Sequence, residues 1–194
     1  MQKNILWTGV EYHSLKNCIL ITTGKGSEAA STIIGTYGET IYKADYEIRT
    51  NKKWGTVFFE IKTQLNNKTA TINYKSDGKG NWLKNGKAVK ILNGCIDIDI
   101  SLTPFTNTLA INRLKLSEKK EQVIKVLYVD ILGRQTKAVK QKYTRLSKTG
   151  YKYENVPNDF QAILSVDELG LMVKYPGLFK RTGIVKSNYS KFNT

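Results

Sequence analysis

Asp97 and Asp99, in the run Gly94-Cys95-Ile96-Asp97-Ile98-Asp99-Ile100-Ser101, are the pair of side chains best spaced to act together. Residues two apart on a strand share a face and lie about 6.5–7 Å apart. That separation falls near the lower end of the range for an inverting glycosidase pair. It would equally let the carboxylates clamp a divalent cation or receive sugar hydroxyls. The same alternation also describes a half-buried strand whose isoleucines face the core and whose aspartates face water. Carboxylates on one strand rarely straddle a scissile bond, which needs groups from opposite sides. A hydrolase cutting a glycosyl or ester bond through Asp97 and Asp99 therefore stands as an alternative reading.

Other reactive constellations are thin. His13 is the only histidine, and Glu11-Tyr12-His13-Ser14 has the look of a surface turn. A histidine-rich metal site is excluded, and a Ser-His-Asp triad would depend on that residue. Cys18 and Cys95, with one histidine, cannot complete an ordinary tetrahedral zinc site without a carboxylate. They read instead as small buried hydrophobes of a reducing cytosol. Gly24-Lys25-Gly26 and Gly78-Lys79-Gly80 open no helix, so they are turn glycines and not phosphate cradles. No catalytic residue, metal or cofactor is expected. Trp7, Trp54, Trp82 and the tyrosines are able to line an apolar cavity or stack on sugar rings, although most large aromatics of a strand-rich protein are core.

The elements that must position these groups are strands. Tyr42, Ala44, Tyr46 and Ile48 alternate with polar neighbours over 40–48. After Thr50-Asn51-Lys52-Lys53 a second strand runs from Trp54 to Lys62, and a third takes in Ala70, Ile72 and Tyr74. Asn85-Gly86, after Trp82-Leu83-Lys84, is the pair favoured in tight hairpins, whose central positions both need positive φ. The second half behaves likewise over 95–101, 122–130, 135–146, 151–154, 160–166 and 171–175, and the N-terminal region offers 6–12, 18–22 and 32–37. About a dozen or more strands at this spacing indicate an all-β, predominantly antiparallel fold. Helix is scarce. Thr103-Pro104 is the best start signal, an N-cap residue followed by proline at the first helical position, with Phe105 and Leu109 on one face. A second short turn is expected at 177–180.

At 194 residues and 40% hydrophobic content the chain suits one domain with a real core. That domain is expected over 1–185, with a polar tail at 186–194. The first residues lack the apolar run of a secretory signal, and no stretch reaches the roughly 20 apolar residues of a membrane-spanning helix, which points to a cytoplasmic protein. The net charge of +15 is almost all lysine, thinly spread. Alternating lysines suit solvated sheet faces and protected edges. A polyanion-binding protein is thus a second alternative, without specific nucleic-acid recognition.

Several segments together resemble the bacterial putative glycolipid-binding family. They are Trp7 and His13-Ser14, the run 42–48 followed by Trp54, Asp77-Gly78-Lys79-Gly80-Asn81-Trp82, and 94–99. Thr103-Pro104-Phe105-Thr106-Asn107-Thr108-Leu109 with Arg113-Leu114 follows, then 141–144, 166–171 and 175–181. The resemblance implies a spiral β-roll, a long curved sheet wrapped around one short central helix spanning 103–112, often as a homodimer. It also implies likeness in shape to carriers of lipoprotein acyl chains, and hence a non-catalytic protein holding a glycolipid or other amphiphile in a cavity of the roll. The candidate ligand contacts are Trp54, Trp82, Asp97, Asp99, Phe105, Asn107, Arg113 and Tyr175. Lys16 and Lys53 depart from the pattern, standing where relatives are expected to carry an acidic residue. Should those acids belong to a site, this member would bind something different.

Overall fold

The computed structural model describes residues 1–187. Strands β1 (Gln2–Gly9), β2 (Ser14–Thr23), β3 (Gly26–Tyr37), β4 (Thr40–Thr50), β5 (Thr56–Leu65), β6 (Lys68–Ser76), β7 (Trp82–Lys84) and β8 (Lys87–Ala88) form a meander. A 3-10 turn at Lys90–Leu92 leads to β9 (Asp97–Ile100), and helix α1 (Phe105–Leu114) follows. Strands β10 (Glu121–Asp130), β11 (Gln135–Arg145), β12 (Gly150–Val156), β13 (Gln161–Val166), β14 (Met172–Tyr175) and β15 (Phe179–Ser187) complete the chain. All fifteen strands belong to one open sheet, in the order β8-β7-β6-β5-β4-β3-β2-β1-β15-β14-β13-β12-β11-β10-β9.

This order explains the shape. The chain starts at the middle of the sheet, winds out to one edge, crosses to the other edge and winds back until β15 pairs with β1. Such a crossing is short only if the two edges lie near each other, so the sheet must curl. Three bonds mark where they meet. Gly94 N donates to the Gly80 carbonyl at 3.0 Å, Thr56 N to that of Ile96 at 3.3 Å, and Trp82 Nε1 to that of Cys95 at 2.7 Å. Strands β9 and β10 are parallel, because α1 carries the chain back across the sheet between them.

Helix α1 fills the curl, and Phe105 through Ile111 are buried in succession. Its start follows the proline signal: Pro104 is helical at φ −79°, and Phe105 N donates to Thr103 Oγ1 at 3.3 Å. Its end is a left-handed Lys115 whose N–H returns to the Ile111 carbonyl. Trp7, Ile33, Ile48, Phe59, Ile61, Tyr74 and Trp82 pack the inner face on the β1–β7 side without exposure worth noting.

Several sequence expectations shift. Trp54 lies in the 51–55 turn at φ 65°, so β5 starts at Thr56. The turn near 177 is followed at once by β15, a strand that period-two reading did not find. Lys186 and Ser187 belong to that strand, and the remainder of the expected tail lies outside the described residues. Asn85 and Gly86 have φ of 51° and 77°, as the hairpin required. Among the described residues no helix is long and apolar enough to cross a membrane.

Candidate functional site

The concave face is not filled everywhere. Between α1 and strands β9–β15 it opens into a cleft of about 490 Å³, within the size range of small-ligand sites. Sheet register builds its walls. Asp99 on β9 lies beside Tyr128 on β10, which lies beside Lys137 on β11. Further along β11, Val139 and Gln141 share the face of Lys137, and Gln141 lies beside Asn155 on β12.

The far wall is aromatic. Tyr153 meets Tyr175 and Phe160 edge-on at centroid distances of 6.2 Å, Tyr175 meets Phe179 at 5.9 Å, and Phe179 stacks on Tyr12 at 6.2 Å. Burial raises the phenols of Tyr153 and Tyr175, and the nearby Asp99 charge raises them further, so both remain hydrogen-bond donors. Tyr153 donates to Asn155 Oδ1 at 2.8 Å. Tyr175 makes no side-chain hydrogen bond to the described residues, and its ring lines the cleft. Val156, Pro157 and Phe160 form an exposed apolar lip.

The floor is polar. Thr106 Oγ1 donates to Asp99 Oδ1 at 2.9 Å, and Gln141 Nε2 to Asp99 Oδ2 at 2.7 Å. Tyr143 donates its hydroxyl to Asn107 Oδ1 at 2.9 Å. Burial pushes the Asp99 carboxyl above the ordinary carboxylate range, with Gln141 and Thr106 drawing it back. No cation among the described residues pairs with it. Lys137, with Nζ 5.7 Å from the Tyr128 ring centroid, stands exposed at the mouth.

Asp97 and Asp99 have different surroundings. Asp97 is 1% exposed and held by Arg113, whose Nε reaches Oδ1 at 2.9 Å and whose Nη2 reaches Oδ2 at 2.6 Å. Burial raises its carboxyl too, opposed by the guanidinium. The expectation that both aspartates face water fails because β9 is covered on both faces: Ile98 and Ile100 are buried, and so is Asp97 beneath α1. Alternation separates core from solvent only where one face of a strand is wet.

Of the sequence candidates, Asp99, Asn107 and Tyr175 line the cleft. Arg113 and Asp97 tie the end of α1 to β9 instead. Phe105 stacks on Tyr46 in the core at 6.4 Å, and Trp82 packs edge-on against Phe59 at 5.7 Å. Trp54 packs against the core from its turn. Tyr12, Tyr128 and Tyr153, covered only by the general expectation for tyrosines, and Gln141, Phe160 and Phe179, not named as contacts, also line the cleft. Gln141 left one trace in the sequence, a polar side chain in period with Val139 and Tyr143.

One buried group sits just behind the aromatic wall. Lys16 is 0% exposed, and its ammonium donates to Ser14 Oγ and lies 4.4 Å from the Phe179 ring centroid. No carboxylate among the described residues meets it, and burial lowers it to about 7. Gly9 and Gly35 make the space, since a β-carbon at Gly9 would collide with Ser14 Oγ and Lys16 Nζ, and one at Gly35 with Ser14 Cβ and the Tyr42 hydroxyl.

A curled antiparallel sheet around one helix, with an open cleft of rings over a polar floor, is a β-roll architecture. Residues 4–181 match the family described as "Putative glycolipid-binding", and the chain belongs to that family. A crystal structure of a DUF1089 family protein from Pseudomonas aeruginosa is similar at 32% identity, with a TM-score of 0.77, covering 86% of this chain and 91% of that one. No curated protein matches.

Proposed function

We propose that this protein binds an amphiphile of the glycolipid class in the β9–β15 cleft and releases it chemically unchanged. The observation that carries the reading is the cleft itself: a wall of rings from Tyr12 to Phe160 faces a floor of hydrogen-bonding groups at Asp99 and Asn107. A surface with one apolar and one polar side suits a ligand with the same division. Membership of the family supports the same class of ligand. Asp97 lies outside the cleft, tied to Arg113, so the Asp97/Asp99 pair does not face one ligand there.

Native mass spectrometry of the purified protein mixed with a bacterial lipid extract tests the proposal. A retained species with the mass of a glycolipid is expected, displaced in a Tyr175→Ala, Phe160→Ala double variant. A protein that retains no lipid from any fraction would overturn it.

The reading includes a homodimer. Leu15 and Ile34 lie side by side on the outward faces of β2 and β3, 51% and 57% exposed, and are apolar surface that such a contact would cover. Light scattering at micromolar concentration should give twice the chain mass, reduced to the single mass by Ile34→Lys. A wild-type chain that scatters as a monomer removes the dimer from the reading.

A further inference from the structure

The hydrogen-bond capacity of the cleft floor is only partly used. A carboxylate offers about four acceptor positions, and Asp99 fills one on each oxygen, with Thr106 and Gln141. The Asn107 oxygen accepts from the Tyr143 hydroxyl at 2.9 Å, which leaves the amide nitrogen outside that bond. Its two N–H groups meet no partner among the described residues, and the nitrogen is not sealed from solvent, so they open on the cleft that the residue lines. An acceptor and a donor therefore stand together, with Asp99 bonded to Thr106 and Asn107 next in the chain. The hydroxyl of Tyr175 adds a further group able to donate or accept.

Adjacent hydroxyls on a sugar ring match this arrangement, since one can donate to a carboxylate while its neighbour accepts from an amide. The flat, weakly apolar face of the ring suits the rings of Tyr153 and Tyr175. A phosphate or carboxylate at the same depth would meet the uncompensated Asp99 charge, which opposes a second anion. The cleft is also open, and on the β1–β7 side the inner face is occupied by buried core side chains from Trp7 to Trp82.

We infer that the cleft recognises the carbohydrate end of its ligand, an uncharged sugar gripped through two adjacent hydroxyls by Asp99 and Asn107, and leaves the acyl chains outside. This rests on the cleft being the ligand site, as proposed above. The specificity then lies in the sugar, with Tyr175 as a secondary contact, and the lip of Val156, Pro157 and Phe160 touches only the first part of the tail.

The test uses the wild-type chain and ligands that carry no tail. Methyl glycosides of glucose, galactose and mannose, and their monodeoxy analogues, are titrated by calorimetry and by saturation-transfer NMR. At least one parent glycoside should bind, and loss of either hydroxyl of one adjacent pair should weaken it at least ten-fold, because a site built to hydrogen-bond a hydroxyl rejects the analogue lacking it. Tyr175→Phe, which deletes one hydroxyl from a protein otherwise unaltered, should weaken the same glycoside by about two- to ten-fold. Asp99→Asn should weaken it at least ten-fold, with its thermal melt recorded in parallel because Asp99 also anchors α1. If intact glycolipids bind while no methyl glycoside does, and deoxy head groups on the same tail bind equally well, the tail carries the affinity. Sugar recognition is then overturned while the amphiphile reading stands. Glycosides that bind when no glycolipid does would instead support the sugar site and remove the amphiphile.

Discussion

A buried ammonium with no carboxylate beside it costs stability, and Lys16 is such a group. The folded chain holds its amine near pH 7 while the unfolded chain titrates at 10.5, so between those values the unfolded state binds more protons. Stability therefore rises with pH across that window, and the cost is present in full below it. Lys16→Met should flatten this rise and stabilise the fold at pH 6 by about 1–4 kcal/mol, the range found when buried ionic groups give way to apolar ones. Urea denaturation at pH 6, 8 and 10 checks both effects, and a wild-type chain whose stability is level from pH 7 to 10 contradicts them. Arg113 is the opposite case. Arg113→Ala leaves Asp97 buried without its cation and should cost about 3 kcal/mol or more at neutral pH. The deficit should shrink as the pH falls and Asp97 takes up a proton, since burial alone favours the neutral carboxyl. A deficit that is the same at pH 4 and pH 7 would show that the pair is not what Arg113 contributes.

Helix α1 is too short to be stable alone, so its existence is a tertiary fact that local signals only start. Thr103 serves it in two ways. Its Oγ1 accepts from Phe105 N, and it lies 3.2 Å from the Tyr46 hydroxyl on β4. Thr103→Ala should cost about 1–2 kcal/mol in denaturant midpoint measurements, while Thr103→Ser should recover most of that. Equal losses in the two variants would mean that the methyl group, not the hydroxyl, matters there. The Thr103-Pro104 signal was legible because capping is local chemistry. The role of β9 was not, because Asp97-Ile98-Asp99-Ile100 is compatible with a wet face or with two dry ones. Only the placement of α1 over that strand decides between them. β15 was missed for a related reason: Phe179-Lys180-Arg181-Thr182-Gly183 carries little alternation of its own, and the strand is held by pairing with β1.

At the scale of the molecule the curl depends on a few contacts between distant edges. Trp82 Nε1 bonds to the Cys95 carbonyl, joining β7 to the segment that enters β9. Trp82→Phe keeps most of the buried area but orphans that carbonyl, and should cost about 1–3 kcal/mol. The cleft lies on the other half of the sheet, so ligand affinity measured at a temperature where the variant is folded should be unchanged. A matching fall in affinity would show that the curl sets the cleft opening. Trp82 also illustrates how far the aromatic argument reached. The sequence marked the tryptophans as either core or ligand contacts, and Trp7 and Trp82 prove to be core.

The sequence by itself determined the all-β class, most strand positions, the Asn85-Gly86 hairpin and the start of the helix, because period-two burial, positive-φ turns and capping are written in neighbouring residues. It also carried the family, through motifs spread along the chain. Tertiary structure alone decided which Asp of the 97/99 pair meets Arg113 and which meets the cleft, and that Lys16 is buried with no counter-ion among the described residues. It also set the cleft wall from Tyr12, Tyr153, Tyr175 and Phe179, residues up to 167 positions apart that meet only when β15 closes against β1. Local patterns fix which face a side chain takes along its own strand; what that face then meets is set by pairing between strands remote in the chain.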